Sequence, residues 1–177
     1  MFLLCSEPMR NRLLLIFFIL ACALGPVGAQ AQVPVEIGRT VQDVKMRSLN
    51  GRDRNLSDYR GKPLLINVWA SWCGPCRAEM GSLERLAWKD QQKTLVVIGI
   101  STDDSEFAAK KYLQQSNATL NHYIDRDLVL ENMLGASRLP LTVLVDEKGV
   151  VLGKHYGSRE WDQPEASQWI KSKLGKK

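Results

Sequence analysis

Cysteine and histidine, the residues from which disulfide frameworks and zinc sites are built, are scarce in this sequence. The 177 residues include four cysteines and two histidines. Only Cys73 and Cys76 form a C-x-x-C pair, and neither His122 nor His155 lies at a ligand spacing from a second histidine or a cysteine. A structural zinc site needs four ligands, and a disulfide framework needs several cysteines far apart in sequence. We therefore expect no metal site and no structural disulfide framework.

A cluster of basic residues is also missing. The 24 lysines and arginines outnumber the 19 acidic residues, which gives a net charge of +5. The basic residues are scattered along the chain, apart from a short Lys-Gly-Lys-Lys end. Nucleic-acid binding concentrates basic residues on one face, whereas scattered charges are typical of a solvated surface. No nucleic-acid partner is expected.

No apolar run reaches the roughly 20 residues that span a bilayer. The run at residues 13–24 is preceded by Arg10 and Arg12 and followed by Ala29-Gln30-Ala31. A basic start, a short apolar run and a small-x-small site predict a cleaved signal peptide over residues 1–31. The alternatives are an uncleaved anchor and a lipoprotein modified at Cys22, and only these two would attach the protein to a membrane. All three place the folded part in the periplasm or another extracytoplasmic compartment.

The rest of the chain is predicted to form one α/β domain at residues 41–177, after a polar lead-in at 32–40. Asn50-Gly51 indicates a hairpin turn, and two almost continuous apolar runs indicate strands buried on both faces. The predicted strands are 42–48, 52–55, 64–70, 95–100, 122–124, 141–145 and 150–155; the predicted helices are 77–90, 102–115, 127–134 and one that begins near Pro164. Alternation of strands and helices favours a layered structure in which the first part of the sheet is parallel.

Cys73 and Cys76 lie where a buried strand is predicted to pass into a helix. A thiolate attacks a disulfide, and free cysteine, with a pKa of about 8.5, needs help to ionise. Unpaired N–H groups and the helix dipole provide that help, so Cys73 is the predicted nucleophile and Cys76 the resolving cysteine. Gly74 allows a close turn, and Pro75 needs no hydrogen bond at a helix start. Two cysteines this close constrain the unfolded chain little, so their spacing favours redox chemistry over a structural role.

The segment at residues 65–80, which contains Trp72-Cys73-Gly74-Pro75-Cys76, resembles the active-site segment of the thioredoxin superfamily. It is most similar to the TlpA/ResA/DsbE branch of extracytoplasmic thiol–disulfide oxidoreductases. The resemblance implies an α/β thioredoxin fold, in which helices flank a central mixed β-sheet, with an N-terminal β-hairpin and a central αβ insert. It also implies that the Cys73–Cys76 disulfide is the redox centre and that no other cofactor is used.

The same resemblance assigns a client-binding role to the loop that ends at Pro140. Pro140 matches the proline that is cis in this family, and the backbone of Leu139 would pair with the client chain, a form of edge-strand recognition. An ordinary turn is the alternative. Trp72 is expected to shield the cysteines, with simple packing as an equal alternative.

Two further positions, Asn67 and Glu79, concern proton transfer. Asn67 matches a position that is a buried aspartate in cytoplasmic thioredoxins, and an asparagine there cannot titrate. Glu79, one turn after Cys76, matches an acidic position of ResA-like members. A buried glutamate there would have a raised pKa and act as an acid and base for Cys76, whereas a solvated glutamate would be an ordinary surface charge.

The Gly74-Pro75 dipeptide is typical of reducing members, so the predicted activity is the reduction of protein disulfides. Clients would be disulfide-containing proteins. The resemblance also implies that a membrane electron donor of the DsbD or CcdA type supplies the electrons. The loop Ser137-Arg138-Leu139-Pro140 departs from the pattern of cytochrome c maturation members, which weakens a role in cytochrome c biogenesis. The alternatives are a peroxiredoxin-like peroxidase, whose Pro-x-x-x-Thr-x-x-Cys motif is missing here, and a copper-handling or chaperone-like binding module.

Overall fold

Strands and helices alternate along the part of the chain that the structure, a computed structural model, describes: residues 33–89 and 94–175. The predicted signal segment at 1–31 and the predicted helix end at Asp90 lie outside the described residues. In chain order the elements are β1 (Lys45–Ser48), β2 (Arg54–Asn55), a 3-10 turn (Leu56–Tyr59), β3 (Leu64–Trp69), α1 (Gly74–Lys89), β4 (Val96–Ser101), α2 (Glu106–Gln115), β5 (Asn121–Ile124), α3 (Val129–Leu134), β6 (Leu141–Val145), β7 (Val151–Tyr156) and α4 (Pro164–Leu174).

The strands form one mixed sheet in the order β2-β1-β5-β4-β3-β6-β7. Strand β3 pairs in parallel with β4, which pairs in parallel with β5, whereas β6 runs antiparallel to β3 and β7 antiparallel to β6. The first part of the sheet is therefore parallel, as the alternation of elements predicts. The N-terminal hairpin β1–β2 joins the sheet through β5, the strand of the predicted central insert. The predicted fold class is confirmed.

All six residues of β3 are buried, which explains why its sequence is apolar apart from Asn67. Leu65 packs with side chains of α1 and α4, and Trp69 packs with side chains of α1 and α2. Ile66 and Val68, which alternate with them, pack with α3 on the opposite face of the sheet. Helices therefore cover both faces of the sheet at β3. The redox motif follows directly after the buried end of this strand.

Three predicted helix starts are wrong. Helix α3 begins at Val129 rather than at residue 127. Helix α1 begins at Gly74 rather than at residue 77, because a proline in the first turn gives up only an N–H that has no helical partner. Helix α2 begins at Glu106 rather than at residue 102. Its N-cap is Ser105, whose hydroxyl accepts a hydrogen bond of 3.3 Å from the N–H of Ala108.

The hairpin also differs in detail from the prediction. Its returning strand is limited to Arg54–Asn55. The Asn50 side chain accepts from the N–H of His122 at 2.9 Å and donates to the carbonyl of Leu120 at 2.7 Å, which attaches the turn to β5.

The lead-in at residues 33–40 bonds to the domain through its backbone. The N–H of Val35 donates to the carbonyl of Met133 at 2.7 Å, and the N–H of Gly38 donates to the carbonyl of Val151 at 2.8 Å. None of the helices within the described ranges is both long enough and apolar enough to cross a membrane.

Candidate active site

Cys73 and Cys76 form a disulfide at the N-terminus of α1. Cys73 is the residue directly before the helix, and the N–H of Cys76 donates to Cys73 Sγ at 3.2 Å. This sulfur therefore occupies the position where an N-cap side chain accepts from the first turn. Cys73 is 6% exposed and Cys76 is fully buried. The outer sulfur faces the surface and the helix N–H groups, whereas the inner one lies in the core.

The loop before Cys73 is anchored by a buried carboxylate, that of Asp103. The N–H of Ser71 donates to Asp103 Oδ2 at 2.9 Å, and the Ser71 hydroxyl donates to Oδ1 at 2.6 Å. Ser101 Oγ donates to Asp103 Oδ2 at 2.7 Å. The sequence does not reveal this role, because Thr102-Asp103-Asp104 has the composition of a helix start. The carboxylate instead connects the end of β4 to the loop that presents the cysteines.

A groove opens beside Cys73. It is lined by Trp72, Cys73, Gly74, Pro75, Thr102, Asp104, Leu128, Glu131, Ser137, Arg138 and Leu139. Trp72 is 71% exposed, which leaves most of its ring available to a partner. The Leu139–Pro140 peptide bond is cis, the isomer that the resemblance implies. The structure therefore brings Trp72, Gly74, Pro75 and Leu139 together around the outer sulfur.

Strand β7 fixes the segment that leads into this cis-proline loop. The Tyr156 hydroxyl donates to the carbonyl of Gly135 at 2.8 Å, and Lys154 Nζ donates to the carbonyl of Leu134 at 2.8 Å. The guanidinium of Arg138 lies over the Tyr156 ring, 5.0 Å from its centroid. Two hydrogen bonds thus hold the end of α3, and one ring contact holds the loop after it; sequence reasoning did not identify these contacts.

Glu79 is fully buried, so the interpretation as a solvated surface charge is wrong. Its Oε1 accepts a hydrogen bond of 2.8 Å from Asn67 Nδ2. Its Oε2 accepts from the backbone N–H of Arg159 and from the indole Nε1–H of Trp161, both at 3.0 Å. Burial raises the pKa of Glu79 above its usual range, and the hydrogen bonds from Trp161, Arg159 and Asn67 oppose that rise.

Asn67 is buried on β3 and links Glu79 to β6. Its Nδ2 also donates to Thr142 Oγ1 at 3.0 Å, while its Oδ1 is buried without a hydrogen-bond partner. The amide therefore acts toward Glu79 only as a donor. Such a donor favours the ionised form of the acid.

The two histidines lie away from the groove in packing positions. His122 is fully buried, with its ring edge-on to Trp69, and burial lowers its pKa to about 3. His155 is half-buried against Trp161. Across residues 33–89 and 94–175, no three His, Cys, Asp or Glu side chains are arranged to hold a metal ion.

Comparison with known proteins places this site in a family. The Redoxin family profile matches residues 36–170. The thiol-disulfide oxidoreductase ResA of Bacillus thuringiensis is 28% identical over 163 residues, which cover 88% of this chain and 94% of the relative.

Solved structures agree with the family assignment. A Chlorobium tepidum structure named thiol:disulfide interchange protein DsbE superposes with a TM-score of 0.73 at 28% identity, over 80% of this chain and 99% of that one. An exposed lipoprotein thioredoxin of Streptococcus pneumoniae superposes with a TM-score of 0.66 at 25% identity, over 74% of this chain and 99% of that one. With its C-x-x-C disulfide at the start of a helix, this chain belongs to the redoxin family of the thioredoxin superfamily and is a ResA/DsbE-like thiol–disulfide oxidoreductase.

Proposed function

We propose that this protein reduces disulfides of client proteins outside the cytoplasm, with Cys73 as the nucleophile and Cys76 as the resolving cysteine. The observation that carries the proposal is the asymmetry of the pair. Cys73 Sγ accepts the N–H of Cys76 at the helix start and borders the groove, whereas Cys76 is buried. A thiolate at the position of Cys73 is stabilised by the helix N–H groups and is the sulfur that a client can reach.

The reaction transfers two electrons from the dithiol to the client. The Cys73 thiolate attacks one sulfur of the client disulfide, whose S–S bond breaks and whose second sulfur leaves as a thiolate. Cys76 then loses its proton and attacks Cys73 Sγ, and the bond between Cys73 and the client breaks. The client leaves as a dithiol, and the protein is left with the Cys73–Cys76 disulfide seen in this structure. No further cofactor is needed for this exchange.

Glu79 accepts the proton of Cys76 in this scheme. Both side chains are buried, and Glu79 follows Cys76 by one turn on α1. Asn67 cannot take this role, since an amide does not titrate. A carboxylate whose pKa is raised by burial is a better proton acceptor near neutral pH than an ordinary surface carboxylate.

The client lies in the groove in this proposal, with its backbone along Leu139 and its apolar side chains against Trp72. The exposure of the Trp72 ring supports this placement. Gly74 supports it too, because no atom beyond its chain neighbours and its own helix backbone lies within 4 Å of the position that a Cβ would occupy, so a client chain has room to approach.

Localisation outside the cytoplasm rests on the basic, apolar and small-x-small pattern of residues 1–31. A reductase in an oxidising compartment needs a supply of electrons, and a membrane donor of the DsbD or CcdA type would restore the dithiol. Cell fractionation followed by mass spectrometry of the intact chain tests the location. A chain in the extracytoplasmic or membrane fraction is expected, and a full-length chain confined to the cytosol would contradict the proposal.

The direction of the reaction is tested by the reduction potential of the Cys73–Cys76 couple. A value near that of thioredoxin, about −270 mV, is expected for a reductase. A value near that of DsbA, about −120 mV, would identify an oxidant and overturn the proposed direction. The measurement is made by equilibration with glutathione buffers, and the Cys76→Ser variant serves as a control that cannot form the disulfide.

A further inference from the structure

We propose that Trp161 is a positioning residue of the redox reaction, whose indole N–H holds the Glu79 carboxylate ionised and oriented to accept the proton of Cys76. The inference rests on the role proposed above for Glu79. It adds a residue that lies outside the redox motif and outside the cis-proline loop.

The contact between Trp161 and Glu79 is direct and buried. Trp161 Nε1 donates to Glu79 Oε2 at 3.0 Å, and both residues are fully buried. A hydrogen bond to an ionised group inside a protein is stronger than one between neutral groups. Such a donor stabilises the carboxylate relative to the carboxylic acid, and its loss would favour the protonated form.

The position of Trp161 is itself fixed by α1. The N–H of Trp161 donates to Ser82 Oγ at 2.9 Å, and the Ser82 hydroxyl donates to the carbonyl of Glu79 at 2.7 Å. The backbone and the side chain of Trp161 therefore both bond to the helix turn that carries Glu79. This double attachment determines where the indole N–H lies relative to the carboxylate.

A cation strengthens the same donor. The guanidinium of Arg159 lies 5.6 Å from the ring centroid of Trp161 and 5.9 Å from that of Trp169. A positive charge over an indole draws electron density toward the ring face, which makes the N–H more positive. The backbone N–H of Arg159 donates to the same Glu79 oxygen.

The residues that follow β7 also contact the cis-proline loop, which borders the proposed client groove. The N–H of Gly157 donates to the carbonyl of Pro140 at 2.9 Å. The segment 157–161 therefore bonds at one end to the cis-proline loop and at the other to the buried acid. Its position connects client binding with proton transfer.

The charged surroundings of Glu79 define what a pH profile can report. Three elements packed around Glu79 carry titratable or charged side chains: Cys76 on α1, His155 on β7, and Arg159 and Glu160 on the segment 157–161. Strands β3 and β6 contribute Asn67 and Thr142, which do not titrate. The charge of Glu160 adds to the rise in the pKa of Glu79. All of these groups stay unchanged in the variants below.

The test follows the two steps of exchange separately. The reduced protein is mixed with 5,5′-dithiobis(2-nitrobenzoate), which releases one coloured thiolate when Cys73 attacks and a second when Cys76 resolves the mixed disulfide. The rate of the second release is measured across a pH series for the wild type, Trp161→Phe, Trp169→Phe and Glu79→Gln. Trp169→Phe is the matched control, because Trp169 packs edge-on against Trp161 at 5.9 Å and makes no hydrogen bond to Glu79.

The rate of the second release should fall at low pH, where Glu79 becomes protonated. In Trp161→Phe this acid limb of the pH–rate profile should move to higher pH by about one unit, the equivalent of one hydrogen bond to a charged group. The first release should keep its pH dependence. Trp169→Phe should follow the wild type, and Glu79→Gln should lose the limb. If Trp161→Phe fails to fold, 3-benzothienylalanine at position 161 keeps the bicyclic shape without the N–H and should give the same shift.

An unshifted limb in Trp161→Phe, together with a lost limb in Glu79→Gln, would overturn the role of Trp161 and leave that of Glu79 intact. An equal shift in Trp169→Phe would also overturn it, since packing alone would then explain the effect. An unchanged limb in Glu79→Gln would overturn the proposed role of Glu79 and, with it, that of Trp161.

Discussion

Asn67 Nδ2 donates a hydrogen bond of 2.8 Å to Glu79 Oε1, which joins the centre of the sheet to the first helix at the redox site. The resemblance to cytoplasmic thioredoxins places a titrating aspartate at the position of Asn67. Here the ionisable side chain is on the helix, and the strand supplies an uncharged donor to it. In the proposed mechanism Glu79 therefore accepts the proton, and Asn67 holds its carboxylate in place.

Glu79→Gln should change how stability depends on pH. Burial raises the pKa of Glu79 in the folded protein above the unfolded value, so the folded state binds the proton more tightly. The resulting stability is fully present below the unfolded pKa and is lost as pH rises through the folded pKa, with a slope of up to about 1.4 kcal/mol per pH unit. Relative to Glu79→Gln, the wild type should lose free energy of unfolding across this range. Denaturant titrations at several pH values measure the free energy of unfolding. Parallel plots of this free energy against pH for the two proteins would contradict the prediction.

His122→Phe should remove a source of acid instability. Burial lowers the pKa of His122 to about 3, so below the usual histidine pKa the unfolded state binds the proton and the folded state does not. Stability is lost as pH falls from about 6.5 toward about 3, by up to about 1.4 kcal/mol per pH unit. His122→Phe should show a flatter decline than the wild type in the same denaturant titrations. His155→Phe is the comparison, since His155 is only half-buried; an equal flattening there would count against this account.

Gly99→Ala should destabilise the fold behind the cysteines. A Cβ at Gly99 would lie 2.1 Å from His122 Nδ1 and 2.9 Å from Trp69 Nε1. Overpacking of this kind costs about 1–3 kcal/mol. Gly74→Ala is the control, because its Cβ would point into open space. The free energies of unfolding of the two variants should differ by that amount, and equal values would refute the argument.

Asp103→Asn should loosen the loop that presents Cys73. The carboxylate accepts the N–H and hydroxyl of Ser71 and the hydroxyl of Ser101, and an amide nitrogen cannot accept from any of them. A buried donor left unpaired costs about 1–3 kcal/mol, so stability and the rate of the first exchange step should both fall. The neighbouring Asp104→Asn changes an exposed side chain and should leave stability within about 0.5 kcal/mol of the wild type. Equal stability of both variants would show that the Ser71 contacts carry little energy.

The redox pair and its supporting strand can be predicted from the sequence because their parts are adjacent along the chain. Residues 64–69 are apolar apart from Asn67, and Cys73 and Cys76 follow within a few positions. The start of α1 is harder to predict, since Gly74 and Pro75 are poor helix formers. They are nevertheless acceptable in a first turn, where the N–H groups have no helical partners.

The surroundings of Glu79 cannot be predicted in the same way. Its donors come from 12, 80 and 82 positions away, on Asn67, Arg159 and Trp161. Helical periodicity places Glu79 on α1 but does not say whether the facing segment after β7 covers it. Likewise, Thr102-Asp103-Asp104 has the composition of a helix start, and only the fold shows that Asp103 accepts from Ser71 instead. Both features depend on which distant segments meet.

In the proposed mechanism Cys73 attacks clients and Cys76 releases them, and covalent trapping tests this division of roles most directly. Cys76→Ser, expressed in the native host, should accumulate disulfide-linked clients that non-reducing electrophoresis and mass spectrometry assign to Cys73. Cys73→Ser should accumulate none, because the buried Cys76 is not accessible to a client. Equal capture by both variants, or capture only by Cys73→Ser, would contradict the assignment of the nucleophile.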